Sequence, residues 1–223
     1  MNVLLFDIDG TLVNTGGAGG QALKDALASE FGVTEPAAVS FQGRTDRGIA
    51  RDFFQAHGID DVEDSWRRYH RAYLRHLATH LPLRPGSVLP GIVALLEAAA
   101  IRDDVAVGLL TGNVREGARL KLEHYRLHHH FRFGGYGDLH PLRDDVAREA
   151  LADAVRILAD STPRRVIVIG DTVHDIRCSR AIDAVAVAVC TGTVSRDELA
   201  AESPDVLLDD LSDAAPLLRL LNA

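Results

Sequence analysis

Short runs of apolar residues, rich in Val, Ile and Leu, alternate along this chain with longer stretches in which apolar residues have helical spacing. A strand buried on both faces shows such a continuous apolar run, and the pattern is typical of a parallel sheet covered by helices. The runs occupy residues 3–6, 105–110, 166–169, 185–189 and 206–208, with one further candidate at 131–133. The sequence therefore predicts an α/β fold, with a parallel sheet sandwiched by helices.

A long stretch without a comparable strand run separates the first two predicted strands, and helical spacing covers its residues 20–31, 46–57 and 64–80. Such a crossover is too long for the single helix of a βαβ unit, so we expect a separate helical cap. Segments 16–20 and 83–86, which contain Gly or Pro, are candidate hinges. The predicted domains are a core of residues 1–14 and 85–223, closed by a helix at 210–221, and a cap of residues 15–84.

The composition limits the partners of the chain. Its 223 residues, 47% of them hydrophobic, suffice for one substantial core and a smaller accessory domain. A net charge of −8 argues against nonspecific nucleic-acid binding, which needs surplus Lys and Arg to neutralise phosphates. The apolar runs are too short to cross a bilayer, so no membrane partner is expected. Cys178 and Cys190 lack the spacing of a metal or disulfide motif, which favours a reducing, cytoplasmic location.

The first predicted strand runs directly into the sequence Asp7-Ile8-Asp9-Gly10-Thr11. Ligands of open parallel sheets bind at the carboxyl ends of the strands. One carboxylate placed there can act as a nucleophile and the other as an acid or base, while Gly10 permits a sharp turn whose N–H groups face an anion. An Asx turn that only ends the strand is the alternative interpretation.

The predicted strand at 105–110 ends in the same way, in Thr111-Gly112-Asn113. A hydroxyl and free backbone N–H groups just ahead of a helix that begins near Arg115 can bind phosphate oxygens. A Thr or Asn that caps this helix would explain the same residues, so both interpretations stay open at this stage.

Carboxylates also follow the predicted strand at 166–169, where the chain continues as Gly170-Asp171-Thr172-Val173-His174-Asp175. Because parallel strands end at one edge of the sheet, the predicted strands at 3–6 and 166–169 bring a set of acidic residues together: Asp7, Asp9, Asp171 and Asp175. Four ionised carboxylates share a small volume only if a cation compensates their charge, and oxygen ligands select Mg²⁺.

The motifs together resemble those of the haloacid dehalogenase (HAD) superfamily over nearly the whole chain. The resemblance implies a Rossmann-like core with an inserted C1-type helical cap, as in phosphoglycolate phosphatases. The matching positions are residues 7–13 for the first motif, Thr111 for the second, and Gly170, Asp171, Thr172 and Asp175 for the fourth.

The resemblance also implies a role for each carboxylate. Asp7 would be the nucleophile that forms an aspartyl phosphate, and Asp9 would protonate the leaving group and then activate water. Asp7, the backbone carbonyl of Asp9, and Asp171 would bind Mg²⁺, with Asp175 in or beside this ligand set.

The cation of the third motif departs from the pattern of the superfamily, which usually has a Lys before a Pro-rich stretch. Arg143 lies in the matching interval, and its planar fork can hold both Asp7 and a phosphate oxygen. We therefore predict that Arg143 is the cation. Lys121 is the alternative, although its position within an amphipathic helical stretch favours the protein surface.

The cap bears on the choice of substrate. Arg44 lies in a turn before a predicted helix, and such turns reach over the active site in C1-capped relatives, so Arg44 is a candidate for contact with a substrate anion. The expected partner is a small phosphorylated metabolite, with phosphoglycolate as one candidate.

Asp9 argues against a dehalogenase, because dehalogenases of the superfamily lack this second Asp. A phosphomutase stays open as an alternative, although residues 16–21 lack the His that commonly supports the intermediate of sugar phosphomutases. A non-catalytic binding protein is the alternative from another class, and it would have no use for converging carboxylates that destabilise a fold. The sequence therefore favours a phosphatase.

Overall fold

The computed structural model describes residues 1–159 and 162–222 of the chain. The strands, in chain order, are β1 (Asn2–Phe6), β2 (Val13–Asn14), β3 (Ser87–Val88), β4 (Val105–Leu110), β5 (Gly134–Gly135), β6 (Arg165–Gly170), β7 (Val185–Val189) and β8 (Val206–Leu208). The helices are α1 (Ala18–Phe31), α2 (Asp46–His57), α3 (Glu63–His80), α4 (Ile92–Ala100), α5 (Arg115–His124), α6 (Arg143–Ile157), α7 (Val173–Arg180), α8 (Arg196–Ala201) and α9 (Ala215–Asn222). None of these described helices has both the length and the apolar character needed to cross a membrane.

A six-stranded sheet, in the order β5-β4-β1-β6-β7-β8, forms the centre of the larger part of the described chain. Each pair of neighbouring strands in it is parallel. Leu4 and Phe6 of β1 pack with residues of α4, α5 and α9 on one face. Val3 and Leu5 pack with residues of α6 and α7 on the other face. Helices therefore cover both faces of the sheet, which confirms the predicted α/β fold.

The strand predictions differ most from the structure at the edge of the sheet. The predicted runs at 105–110, 185–189 and 206–208 match β4, β7 and β8, but the candidate at 131–133 is wrong, because pairing begins only at Gly134. Phe131 and Phe133 are instead buried beside the sheet. A Cβ atom at Gly134 would lie 2.6 Å from the carbonyl oxygen of Leu109, so this close approach of two strands requires glycine.

The closing helix is shorter than the predicted span of 210–221, since α9 begins at Ala215. The Asp210 side chain accepts a hydrogen bond from Ser212 N at 2.8 Å, and Asp213 accepts one from Ala215 N at 3.0 Å. Such local side-chain contacts satisfy backbone N–H groups outside a helix and compete with helix formation. These Asp residues therefore delay the start of α9.

Helices α1, α2 and α3 pack around a hydrophobic cluster that includes Leu27, Phe53 and Tyr69, and Val114, just before α5, also belongs to it. The predicted helix at 46–57 matches α2, whereas α1 and α3 begin slightly before their predicted starts at 20 and 64. The antiparallel ribbon of β2 and β3 connects these helices to the rest of the chain. The two connections between the helical insert, which consists of α1 to α3 and their loops, and the rest of the chain thus run side by side. They lie next to the candidate hinges at 16–20 and 83–86.

Candidate active site

Asp7 and Asp9 lie at the carboxyl end of β1, between the ends of β4 and β6. Gly10 has a φ of +85° in the turn that follows, and its N–H donates to the carbonyl oxygen of Val13 at 2.9 Å. Burial raises the pKa of Asp7 to about 6, against the opposite effect of the nearby Arg143 charge. The Asp9 side chain is 41% exposed, so the two carboxylates of this turn have different environments.

Asp7, Asp171 and Asp175 each bring one carboxylate oxygen to within 4.8 Å of the other two. Burial raises the pKa of Asp171 well above its usual range, and the charges of Asp175 and Asp7 add to this effect. The Thr11 hydroxyl donates to Asp171 Oδ1 at 3.0 Å and fixes its orientation. A group of buried oxygen donors that repel one another fits a hard divalent cation such as Mg²⁺.

Arg143, the first residue of α6, lies between two of these carboxylates. Its Nη2 atom is 2.8 Å from Asp7 Oδ1 and 2.5 Å from Asp175 Oδ1, and it also donates to the carbonyl oxygen of Leu110 at 3.3 Å. The other oxygen of Asp175 accepts hydrogen bonds from the backbone N–H and the hydroxyl of Thr172. Arg143 is therefore held in the site beside Asp7, the carboxylate with which it was predicted to pair.

Lys121 is buried in the same site, and the expectation of a surface position was wrong. Its Nζ atom is 2.6 Å from Asp9 Oδ2 and 2.6 Å from Asn113 Oδ1. The buried residues of α5 include Gly117, Ala118, Lys121 and Leu122. This spacing of three and four residues puts Lys121 on the inner face of the helix, and it is the signal in the sequence that identifies the position.

The loop after β4 contacts Asp9 through hydrogen bonds of Asn113, which also contacts Thr111. Asn113 Nδ2 donates to Asp9 Oδ2 at 2.8 Å and to the Thr111 hydroxyl oxygen at 2.9 Å. Thr111 is buried, and its backbone N–H donates to the carbonyl oxygen of Gly135 at 3.2 Å. A Cβ atom at Gly112 would collide with the carbonyl group of Arg44, so the loop carries glycine where the helical insert approaches it.

Asp46, the first residue of α2, connects this helix to the loop after β4. Its backbone N–H donates to the carbonyl oxygen of Gly112 at 2.7 Å, and its Oδ2 atom accepts from Val114 N at 2.9 Å. Burial raises the pKa of Asp46 to about 6, against the opposite effects of the Lys121 charge and the Val114 N–H. An acidic side chain from the helical insert thus caps the first turn of α5.

Arg44 lies in the turn before α2, where its carbonyl group packs over Gly112. Its guanidinium group is 2.7 Å from Asp52 Oδ2, and both side chains of this pair are about one-third exposed. The structure therefore brings the backbone of Arg44 to the site and pairs its side chain within the helical insert.

A cavity of about 410 Å³ lies between the carboxylates and helices α1 to α3. Acidic and basic groups line one side of it, and apolar or aromatic side chains line the other. Among the lining residues are Asp7, Asp9 and Lys121 on the first side and Leu23, Phe41 and Tyr73 on the second. An enclosure with a few convergent polar groups is typical of a site for a small molecule.

Comparisons with known proteins agree with this geometry. The sequence profile of the haloacid dehalogenase-like hydrolases matches residues 4–189. The phosphoglycolate phosphatase of Rhodospirillum rubrum is 30% identical over 224 residues, with 94% of this chain and 87% of that protein covered. A 5'-nucleotidase of Pseudomonas aeruginosa is 27% identical over 219 residues, with 97% and 95% covered.

Solved structures share the fold at lower identity. The crystal structure of CbbY from Rhodobacter sphaeroides in complex with phosphate gives a TM-score of 0.71 at 18% identity, with 95% of each chain covered. The profile match and the related phosphatases confirm the prediction of a phosphatase with a phosphoglycolate phosphatase-like sequence. The chain therefore belongs to the haloacid dehalogenase-like hydrolase family.

Proposed function

We propose that this enzyme hydrolyses the phosphate ester of a small phosphorylated metabolite in a Mg²⁺-dependent reaction, with Asp7 as the nucleophile. The observation that carries the proposal is the presence of two carboxylates with different environments at one cavity. Asp7 is buried 2.8 Å from Arg143, whereas Asp9 is partly exposed and accepts two hydrogen bonds on Oδ2. The first carboxylate is suited to attack on phosphorus and the second to proton transfer.

The reaction would proceed in two steps. A carboxylate oxygen of Asp7 attacks phosphorus, the bond from phosphorus to the ester oxygen breaks, and Asp9 donates a proton to the departing oxygen. Water then attacks the phosphorus of the aspartyl phosphate, Asp9 removes a proton from the water, and the bond between Asp7 and phosphorus breaks. Inorganic phosphate leaves, with Asp7 free and Asp9 protonated again.

Mg²⁺ would be held by Asp7, the backbone carbonyl oxygen of Asp9, and Asp171. Bound there, it supplies positive charge that offsets the negative charges of the nucleophile and the phosphate. Asp175 would act beside this ligand set, because its two oxygens already accept hydrogen bonds from Arg143 and from Thr172. Its role would be to orient the Arg143 guanidinium, which reduces the repulsion between Asp7 and the incoming phosphate.

The phosphate oxygens would be bound by the loops after β1 and β4. Thr111 supplies a hydroxyl, and Asn113 orients that hydroxyl through its side-chain amide, which supports this assignment. Gly10 and Gly112 have no side chains to cover the backbone N–H groups of the two turns. These four residues would bind the substrate without adding much charge to the site.

Residues 15–84 would work as a cap on a core of residues 1–14 and 85–223. The hydrophobic cluster that α1, α2 and α3 share and the connection through the ribbon of β2 and β3 support this division. A cavity of about 410 Å³ is near the lower end of the volumes of small-molecule sites, about 300–1,000 Å³, which favours a small substrate. Phosphoglycolate fits this limit, and a relative at 30% identity bears its name.

Arg44 would contact a second anionic group of the substrate, which would replace Asp52 as its partner. The ion pair of Arg44 and Asp52 is partly exposed and contributes little free energy, so the substrate can displace Asp52. A cytoplasmic location is part of the proposal. It is supported by Cys178 and Cys190, which both lack a disulfide partner.

Phosphate release from a panel of phosphorylated metabolites tests the proposal, with phosphoglycolate, sugar phosphates, 5'-nucleotides and p-nitrophenyl phosphate as substrates. We expect chelation of the metal to abolish turnover and added Mg²⁺ to restore it. We expect Asp7→Asn to lower turnover by about 10⁴-fold or more. The exposed Asp103→Asn is the matched control and should keep full activity. Turnover that survives in Asp7→Asn, or that never needs a metal, would contradict the proposal. Transfer of phosphate to a sugar phosphate instead of water would identify a phosphomutase.

A further inference from the structure

Lys121 makes contacts that the proposed roles of the other residues leave unexplained. Arg143 already pairs with Asp7 and Asp175, and Asp9 would bind the proposed metal only through its backbone carbonyl oxygen. Neither role accounts for the contact of Lys121 with the Asp9 side chain. The Lys121 side chain is only 3% exposed, although burial of an ammonium group is costly unless its donors have partners. Its two partners are Asp9 Oδ2 and Asn113 Oδ1, each 2.6 Å from Nζ.

We propose that Lys121 is a positioning residue for the proton transfer by Asp9 to the leaving group. This inference rests on the proposed function, because it assumes that Asp9 protonates the departing oxygen. Lys121 and Asn113 would fix the orientation of the Asp9 carboxyl group and leave one of its oxygens available to the substrate.

The hydrogen bonds around Asp9 carry the argument. Lys121 Nζ and Asn113 Nδ2 converge on the same oxygen, Oδ2, at 2.6 and 2.8 Å. Among residues 1–159 and 162–222, no hydrogen bond engages Asp9 Oδ1. Oδ2 therefore anchors the group, and Oδ1 is the oxygen left free to exchange a proton with the leaving group. Asn113 is itself held, since its amide oxygen accepts from Lys121 and its amide nitrogen donates to the Thr111 hydroxyl.

The surroundings of Lys121 support a role on the leaving-group side of the cavity. A Cβ atom at Gly19 of α1 would lie 3.1 Å from Nζ, so a larger residue there would press on the ammonium group. Asp46 of α2 contributes a further carboxylate to the surroundings of this charge. Lys121 thus lies between Asp9 and the helical insert, whereas Arg143 lies beside Asp7 on the side of Asp175.

The leaving group provides the test. Aspartyl-phosphate formation governs kcat/KM, and an alkyl alcohol needs a proton to depart, whereas p-nitrophenolate departs without one. We expect Lys121→Met to lower kcat/KM for alkyl phosphates by about 100-fold and that for p-nitrophenyl phosphate by less than about threefold. For p-nitrophenyl phosphate, kcat and KM should fall together, because Asp9 still has to activate water in the second step.

Lys24→Met is the matched control, since it removes the chain's other lysine from an exposed position on α1. It should leave both substrate classes unaffected. Lys121→Arg keeps a donor and a charge, and it should recover part of the lost rate on alkyl phosphates. Thermal unfolding of each variant checks that the protein remains folded at the assay temperature.

An equal loss on both substrate classes, or no loss on either, would overturn the positioning role of Lys121. These outcomes differ from failure of the proposed function, which would appear as absence of metal-dependent turnover in the wild type or as activity in Asp7→Asn. A wild type that is active and dependent on Asp7, combined with a Lys121→Met variant whose loss does not depend on the leaving group, refutes only this inference.

Discussion

At the scale of single residues, the balance of charge in the site supports the proposed use of a divalent metal. Two basic side chains, Arg143 and Lys121, are buried there. They oppose a larger set of carboxylates: Asp7, Asp9, Asp171 and Asp175. The phosphate of the substrate would add further negative charge, so the site has a use for a divalent metal.

Loss of Arg143 would affect both stability and catalysis. Arg143→Met leaves Asp7 and Asp175 buried without their common partner, whose side chain is 5% exposed. We expect the free energy of unfolding at neutral pH to fall by about 3–5 kcal/mol, as for other broken buried ion pairs. We expect kcat/KM to fall by about 100-fold or more, because Asp7 loses the cation that admits the phosphate. Urea unfolding and phosphate release measure these two effects.

The exposed residue Arg148, on the same helix α6, provides the control. Arg148→Met should change the free energy of unfolding by less than about 0.5 kcal/mol and leave the activity unchanged. A variant Arg143→Met that is as stable as the control would mean that the pairs with Asp7 and Asp175 contribute nothing net to the fold.

Residues at strand ends were predictable, whereas residues on helices were less so. Asp7 and Asp171 follow apolar strand runs, and the rule that strands of a parallel sheet end at one edge is enough to bring them together. Lys121 was predictable in principle from its helical spacing relative to Gly117 and Ala118. The pairing of Arg44 with Asp52 depends on how a turn sets one side chain, and no periodic pattern in the sequence contains that information.

At the scale of elements, two helices begin at one contact. Asp46 is the first residue of α2, and its carboxylate accepts the N–H of Val114, the residue just before α5. The chain positions of these residues are far apart, so local capping rules predict each helix start but not their shared contact. The short strands β2, β3 and β5 were missed for a related reason: each has two residues, too few to show a period.

The stability of the protein should depend on pH through Asp46. Burial raises its pKa from 3.8 to about 6, so the folded protein binds this proton more tightly than the unfolded chain does. The resulting stabilisation is fully present below about pH 4 and is lost as the pH rises through about 6. Asp46→Asn removes this titration. We therefore expect the variant to gain stability relative to the wild type between pH 4 and 7, by on the order of 3 kcal/mol.

Urea unfolding at intervals between pH 4 and 7 measures this difference. Asp103→Asn, at an exposed position outside the site, should follow the wild type at each pH. Parallel pH profiles for Asp46→Asn and the wild type would show that the Asp46 carboxyl group titrates alike in the folded and unfolded states.

At the scale of the whole molecule, the helical insert contacts the rest of the chain around the mouth of the cavity. Backbone N–H groups of Asp46 and Arg47 donate to the carbonyl oxygens of Gly112 and Gly137. The Gln42 amide donates to the Thr193 hydroxyl at 2.5 Å on another side. The sequence predicted a cap and its hinges but could not predict this docking, because the contacts join loops without any common pattern.

An added methyl group at this docking surface should lower activity strongly and lower stability only slightly. Gly48 lies in α2, and a Cβ atom there would be 2.9 Å from the carbonyl oxygen of Pro141 across the contact. Alanine favours a helix over glycine by up to about 1 kcal/mol, which offsets part of the cost of this close contact. We therefore expect Gly48→Ala to lower the free energy of unfolding by no more than about 2 kcal/mol. We expect kcat/KM to fall by about 10- to 100-fold on every substrate, because a small displacement misplaces groups around the phosphate. Gln55→Ala changes an exposed residue of the same helix and should keep wild-type activity. Wild-type kcat/KM in Gly48→Ala would mean that tight docking of α2 against Pro141 is not required for turnover.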